Sequence, residues 1–125
     1  MNLDILRGAG IDTEELMNTL MDNEDVLVIV LNKFLLDKNY ERLEQSFSSK
    51  DENMDYKAIE LYSHTLKGTT ATLEMTNLHL CLAKLVENVR TGKYSGLRDD
   101  FDNVKLEYNK IIDAILKWKV VEEIF

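Results

Sequence analysis

The sequence predicts an all-α protein: an antiparallel up-down four-helix bundle with an additional short N-terminal helix. The 125 residues contain no proline and only five glycines, so few positions interrupt a helix. Apolar residues recur at helical spacing in long runs, and the polar segments between the runs are short, as between antiparallel neighbours. We expect one domain over residues 1–125, with the bundle at about residues 24–120 and a tether or short helix at residues 1–10.

Composition and charge exclude several functional classes. Charged residues make up 30% of the chain and hydrophobic residues 45%, as in folded, water-soluble domains. The formal net charge of −8 disfavours nucleic acids and anionic membranes as partners, because both bind basic patches. Residues 26–31 form the longest apolar cluster, which is too short to span a bilayer. A single cysteine, Cys81, and the lack of a signal-peptide pattern favour the cytoplasm. We also expect a monomer.

The N-terminal elements are predicted from their capping residues. Asp12 is a suitable N-cap, and Glu15 stands three residues later, as in a capping box. A short helix should therefore run from this point to about residue 21.

The second helix is expected to be continuous over residues 24–47, with Asn23 as its N-cap. Its apolar stripe moves along the helix through two successive groups of residues, first Leu27, Val30, Leu31 and Phe34, then Leu36, Tyr40, Leu43 and Phe47. A polar loop is predicted at residues 48–53.

The third and fourth helices are joined by a predicted turn at Glu74. Asp55 should cap the third helix, which ends near Leu73 and has these core-facing positions: Ile59, Tyr62, Leu66, Thr70 and Leu73. Thr76 should cap the fourth helix, and Gly92 should end it.

The last helix should begin after Ser95 as its cap. Its apolar positions alternate between steps of four and three residues: Leu97, Phe101, Val104, Tyr108, Ile111, Ile115 and Trp118. This spacing is typical of the near-heptad seam of a helix in a bundle.

The third helix carries three residues that share one face, His64, Lys67 and Gly68 at i, i+3 and i+4. A histidine is largely neutral at pH 7, and a neutral imidazole is a nucleophile that needs no activating base. Lys67 supplies a cation for an anionic group. A glycine within a helix costs roughly 0.5–1 kcal/mol relative to alanine, so Gly68 indicates that something bulky approaches there.

Phosphoryl transfer suits this group of residues, because the reaction mainly requires positioning and charge neutralisation. The sequence contains no Gly-rich nucleotide loop, Walker motif or kinase-like ATP site. The phosphoryl group would therefore arrive on another protein, and no cofactor is expected. Two simpler interpretations remain open: His64 as an ordinary surface histidine, and Gly68 as a close contact between helices.

The segment SHTLKGT at residues 63–69 resembles the His-x-Leu-Lys-Gly-Ser/Thr/Ala signature of histidine-containing phosphotransfer (HPt) domains. Phe34 and Asp37 resemble the family's Phe-x-x-Asp on the second helix, and the resemblance covers roughly residues 11–115. One departure is Glu74, where the family commonly has glycine.

The resemblance implies a phosphorelay intermediate of two-component signal transduction. His64 would accept a phosphoryl group from a receiver-domain aspartate, Lys67 would neutralise its charge and Gly68 would let the partner dock. The implied partners are receiver domains of response regulators or hybrid sensor histidine kinases, bound transiently. Mg²⁺ is expected only on the partner receiver domain, and no autonomous kinase activity is expected.

Three further residues are candidates for contact with the site. Glu60 stands one turn before His64, and Lys84 and Asn88 lie on the next helix.

Two other functional classes fit a small helical domain. One is a non-catalytic helical adaptor or scaffolding module that binds a partner through a bundle face; another is the histidine-bearing domain of a larger chemotaxis-type kinase. A metal site at His79 and Cys81 is not expected. Two residues apart on a helix point about 200° from each other, and zinc needs about four convergent ligands.

Overall fold

The computed structural model describes residues 1–47 and 54–124. Its α-helices are α1 (Asp4–Gly8), α2 (Thr13–Thr19), α3 (Glu24–Leu36), α4 (Asn39–Ser46), α5 (Tyr56–Thr72), α6 (Thr76–Arg90) and α7 (Leu97–Ile124). The described part of the chain is all-helical, as predicted, and none of its helices has the length and apolar character needed to cross a membrane. The loop predicted at residues 48–53 lies outside the described residues.

Three predicted N-caps are confirmed. Each side chain accepts a hydrogen bond from the backbone amide three residues ahead, at 3.1–3.2 Å: Asp12, Asn23 and Asp55. These bonds satisfy amides that the first turn of a helix leaves without a partner. The starts of α2, α3 and α5 are therefore fixed by local chemistry.

Two other predicted caps are wrong. Thr76 is the first helical residue of α6, and Met75 precedes it without a side-chain cap. Ser95 lies within a 3₁₀ turn, Tyr94–Gly96, which leads directly into α7.

The predicted continuous helix over residues 24–47 is also wrong, because the chain leaves helical geometry at Asp37. The backbone of Asp37 is extended, with ψ at 130°. Its carboxylate accepts hydrogen bonds from the backbone amide of Asn39 at 2.7 Å and from the side-chain amide of the same residue at 2.8 Å. Such local bonds compete with helical bonds. Leu36, predicted in the buried stripe, is 77% exposed, because it lies about 200° around α3 from the buried Phe34.

The apolar seam predicted for α7 is confirmed. Six of its positions are buried: Leu97, Phe101, Val104, Ile111, Ile115 and Trp118. Tyr108, the seventh, is half-buried and stacks on Tyr40 with the ring centroids 3.7 Å apart. The helix α6 packs against α7 and also against α5, which in turn contacts α4.

The turn that follows α5 has the hydrogen bonds of a Schellman-type cap. Glu74 has a left-handed backbone, with φ at +55°. The amide of Met75 donates to the carbonyl of Thr70 at 2.9 Å, and the amide of Glu74 donates to the carbonyl of Ala71 at 3.2 Å. The turn therefore has the conformation that glycine favours, although glutamate occupies the position.

The segment before α2 is tied to this turn. The amide of Asp12 donates to the carbonyl of Glu74 at 2.8 Å, and the amide of Thr76 donates to the carbonyl of Gly10 at 3.0 Å. Gly10 has φ at +96°, and a Cβ at this position would stand 2.8 Å from the Asn77 side chain. The backbone at residue 10 thus requires glycine.

We predict that Glu74→Gly stabilises the protein by about 1 kcal/mol, because glycine adopts a positive φ without a Cβ clash. For a domain of this size the gain corresponds to roughly 3–6 °C in Tm, measured by circular dichroism. Glu74→Ala is the matched control, since it removes the carboxylate but keeps the Cβ. Equal gains in the two variants would mean that loss of the charge, and not relief of backbone strain at residue 74, stabilises the protein.

Candidate functional site

The three predicted site residues lie near the middle of α5. His64 and Gly68 are exposed, and Lys67 is half-buried. The side of α5 that packs into the protein carries buried residues: Ile59, Ser63, Leu66, Thr70 and Leu73, the last at the C-terminal cap. Burial of this side holds the imidazole out toward solvent.

Gly68 is not required by packing within the described chain. A Cβ built on this residue would meet no atom within 4 Å. The alternative that Gly68 permits a close contact between two helices of this chain is therefore not supported. Three exposed neighbours on α5 also have small side chains, so no long side chain projects from this surface: Thr65, Ala71 and Thr72.

Arg90, the last residue of α6, reaches across to α5. Its Nε donates to Glu60 Oε1 at 2.9 Å, and its Nη2 donates to His64 Nδ1 at 3.3 Å. A guanidinium group has no acceptor, so Nδ1 of the imidazole must be the acceptor. While this contact holds, the neutral ring of His64 carries its proton on Nε2. Glu60, a predicted neighbour of His64, thus contacts the imidazole through Arg90.

Sequence reasoning missed the role of Arg90. The residue lies 26 positions from His64, and it is brought near only because α5 and α6 run antiparallel. A basic residue in the last turn of a helix also has an ordinary explanation, which is its interaction with the helix dipole. The short connection between α5 and α6 was the one available signal, since it limits which residues of the two helices face each other.

Two surface cavities flank the exposed side of α5. One, of about 260 Å³, is lined by Lys57, Glu60, Leu61, His64 and Arg90. The other, of about 550 Å³, lies between α3 and α5 and is lined by Val30, Lys33, Phe34, Asp37, Thr65, Gly68, Thr69, Thr72 and Leu73. The motif therefore stands between a charged cleft on the α6 side and a more apolar groove on the α3 side.

Lys84 and Asn88, predicted to reach the site, are engaged elsewhere. The Asn88 amide donates to Asp100 Oδ2 at 2.8 Å, and Lys84 Nζ lies 3.7 Å from Asp100 Oδ1. Asp100 is only 5% exposed, and a buried carboxylate needs such partners. These two polar groups of α6 thus serve the interface with α7.

His79 and Cys81 have separate surroundings. The half-buried His79 ring places Nδ1 at 3.0 Å from the backbone oxygen of Lys67. Burial, and next the charge of Glu107, raise the pKa of the Cys81 thiol, which makes it a poor nucleophile at neutral pH. Among the described side chains, those of residues 1–47 and 54–122, there is no group of three or more His, Cys, Asp or Glu that could hold a metal.

Removing the Arg90 guanidinium should change the proton distribution of His64 without unfolding the protein. In wild type we expect the neutral ring to carry its proton on Nε2, and in Arg90→Ala a mixture of both tautomers, read from imidazole ¹⁵N NMR. The Arg90–Glu60 pair is half-exposed, so its loss should cost no more than about 1 kcal/mol.

Lys57→Ala is the control for this measurement, because Lys57 is another cation of the same cleft. It should leave the tautomer of His64 unchanged. The same spectral change in both variants would mean that the general field of the cleft, rather than the Arg90 contact, sets the proton position.

No protein-family model, no curated protein and no solved structure matches this chain. Its function is therefore inferred from the SHTLKGT motif and from the contacts between α5 and α6.

Proposed function

We propose that this protein is a phosphorelay intermediate, in which His64 accepts a phosphoryl group from a receiver-domain aspartate and passes it to another receiver domain. The observation that carries the proposal is an exposed imidazole in the middle of a helix, with Lys67 and the bare backbone of Gly68 one turn away on the same side. The packing of α5 against α4 and α6, and of α6 against α7, fits an antiparallel four-helix bundle, and the short helix α1 packs against α7.

The proposed transfer exchanges one bond for another. A ring nitrogen of His64 attacks phosphorus, and the P–N bond forms as the P–O bond to the aspartyl carboxylate breaks. The partner regains a free carboxylate, and the reverse step delivers the phosphoryl group to the next receiver domain. The Lys67 ammonium would balance the negative charge of the phosphoryl oxygens. We expect no kinase or hydrolase activity of the chain alone, and any Mg²⁺ would belong to the partner.

Because Arg90 bonds to Nδ1, the proton of the neutral His64 ring has to move before Nε2 can attack phosphorus. While its Nη2 donates to Nδ1, the Nε2 atom of a neutral ring bears the proton and has no free lone pair. Nε2 becomes nucleophilic when Arg90 leaves and the proton moves to Nδ1. Phosphoryl oxygens are stronger acceptors for a guanidinium than a neutral imidazole is. An incoming phosphoryl group is therefore expected to draw Arg90 away, while Glu60 holds the Nε side of the guanidinium.

Exposed apolar side chains near the motif offer a docking surface. Leu61, one turn before the histidine, is 58% exposed, and Ile29 and Leu36 on α3 are 52% and 77% exposed. Ile29 and Leu36 share a helix face with Lys33, which lines the groove beside Gly68. A transient contact with a receiver domain should be small, below about 1,200 Å².

The proposed acceptor is tested with a receiver domain that carries labelled phosphate. Wild type is expected to acquire acid-labile, base-stable label, and His64→Gln is expected to acquire none, since glutamine is not a nucleophile. His79→Asn is the control and should be labelled like wild type. Equal labelling of wild type and His64→Gln would rule out His64 as acceptor and would favour the adaptor alternative.

Lys67→Ala should slow transfer to His64 or shorten the lifetime of the phosphohistidine, by roughly tenfold, as expected for one charge-assisted hydrogen bond. The Tm should barely change, because Lys67 is not fully buried. Lys57→Ala serves as the matched loss of a nearby cation. A drop of many degrees in Tm would show that Lys67 is structural instead.

A further inference from the structure

His79 contacts the backbone of α5 and has no part in the transfer steps described above. The residue lies on the first turn of α6, and its Nδ1 is 3.0 Å from the carbonyl oxygen of Lys67 on α5. A carbonyl oxygen can only accept, so Nδ1 of this ring carries a proton and donates it. The same oxygen accepts the hydroxyl of Thr70 at 3.1 Å. The backbone of Lys67 is thus bonded directly to α6.

Residues 67–72 of α5 contribute few buried side chains of their own, although Leu66 and Leu73 on either side of them are buried. Within residues 67–72, all of them described, Thr70 is the single buried side chain. Gly68 and the threonines of this segment are modest helix formers. The hydroxyls of Thr69 and Thr72 bond to carbonyls of the preceding turn, which ties them to α5 itself. The bond from His79 therefore adds a polar constraint at Lys67 to the packing of the buried Leu66 and Leu73.

The direction of the Lys67 side chain depends on that constraint. A rotation of α5 by about 20° about its axis moves an atom 6 Å from the axis by about 2 Å. The loss of transfer from such a displacement is limited to what the Lys67 ammonium itself contributes, roughly tenfold. Fixing the backbone of Lys67 thus bears directly on where its ammonium group meets a phosphoryl group.

We propose that His79 is a positioning residue that acts through Lys67: its Nδ1–H bond to the Lys67 carbonyl sets the direction from which the ammonium meets the phosphoryl group on His64. This inference rests on the proposed function of His64. The neutral and the protonated ring both keep the Nδ1 proton, so the bond does not depend on the charge of His79. The helix α6 then contacts both ends of the motif, since Arg90 bonds to the ring of His64 until a phosphoryl group arrives.

Three substitutions of His79 distinguish the effect of the hydrogen-bond donor from the effect of side-chain size. The amide of His79→Asn places a donor near the original Nδ1, that of His79→Gln places it one bond farther out, and His79→Leu has no donor. We expect transfer from a phosphorylated receiver domain to be within twofold of wild type for Asn. For Gln and Leu we expect it to be slowed about as much as for Lys67→Ala.

A double substitution tests whether His79 acts through Lys67. If it does, His79→Leu should cause no further loss in a Lys67→Ala background, because two residues that act through one interaction are not additive. Fully additive losses, or an Asn variant as slow as Leu, would overturn the proposal. Where Leu impairs folding, Gln, which keeps the polarity and approximate size of the side chain, provides the same comparison.

Imidazole ¹⁵N NMR gives a readout that does not depend on phosphoryl transfer. The His79 ring is expected to hold its proton on Nδ1 when neutral, and a proton on Nε2 alone would overturn the contact. The two proposals fail separately. Labelling of His64→Gln at the wild-type level would refute the acceptor, whereas an unlabelled His64→Gln together with wild-type rates for His79→Leu would refute only the positioning role.

Discussion

The connection between α5 and α6, residues 73–75, fixes the register of the two helices on which every polar contact of the site depends. Apolar burial maintains this pairing through Leu66 of α5 and Leu78 and Leu82 of α6. Each such side chain contributes about 1.5–3 kcal/mol, whereas a half-exposed ion pair such as Arg90–Glu60 contributes at most about 1 kcal/mol. The polar contacts therefore orient side chains on a pairing that apolar packing has already established.

Much of the fold could be predicted because its causes are local. The caps at Asp12, Asn23 and Asp55 depend on amides three residues away, and the seam of α7 depends on periodicity alone. The break after α3 could have been predicted from the apolar spacing. Between Phe34 and Leu36 the spacing steps by two residues, about 200° around a continuous helix, so a single helix could not bury both halves of the stripe. There the carboxylate of Asp37 bonds to Asn39, and this local alternative prevails over one more helical turn.

Only the site residues that lie together on α5 could be predicted from the sequence. His64, Lys67 and Gly68 share a face at a spacing that any α-helix imposes. The partners on α6 required knowledge of how two helices are rotated against each other. His79 and Arg90 are eleven residues apart, or about 20° on a helix, so both face α5. Lys84 and Asn88 lie about 140° and 180° around α6 from His79, and on that side they contact the buried Asp100 of α7.

The two histidines have opposite proton arrangements, because one is paired with a group that only donates and the other with a group that only accepts. In their neutral forms, Nε2 of His79 offers a lone pair, while Nε2 of His64 is blocked by its own hydrogen. A small electrophile with access to both rings would accordingly react faster at Nε2 of His79 than at Nε2 of His64, the opposite of the proposed roles. In a relay, the docked protein would then select His64, because its phosphoryl group displaces Arg90 and frees Nε2 of that ring.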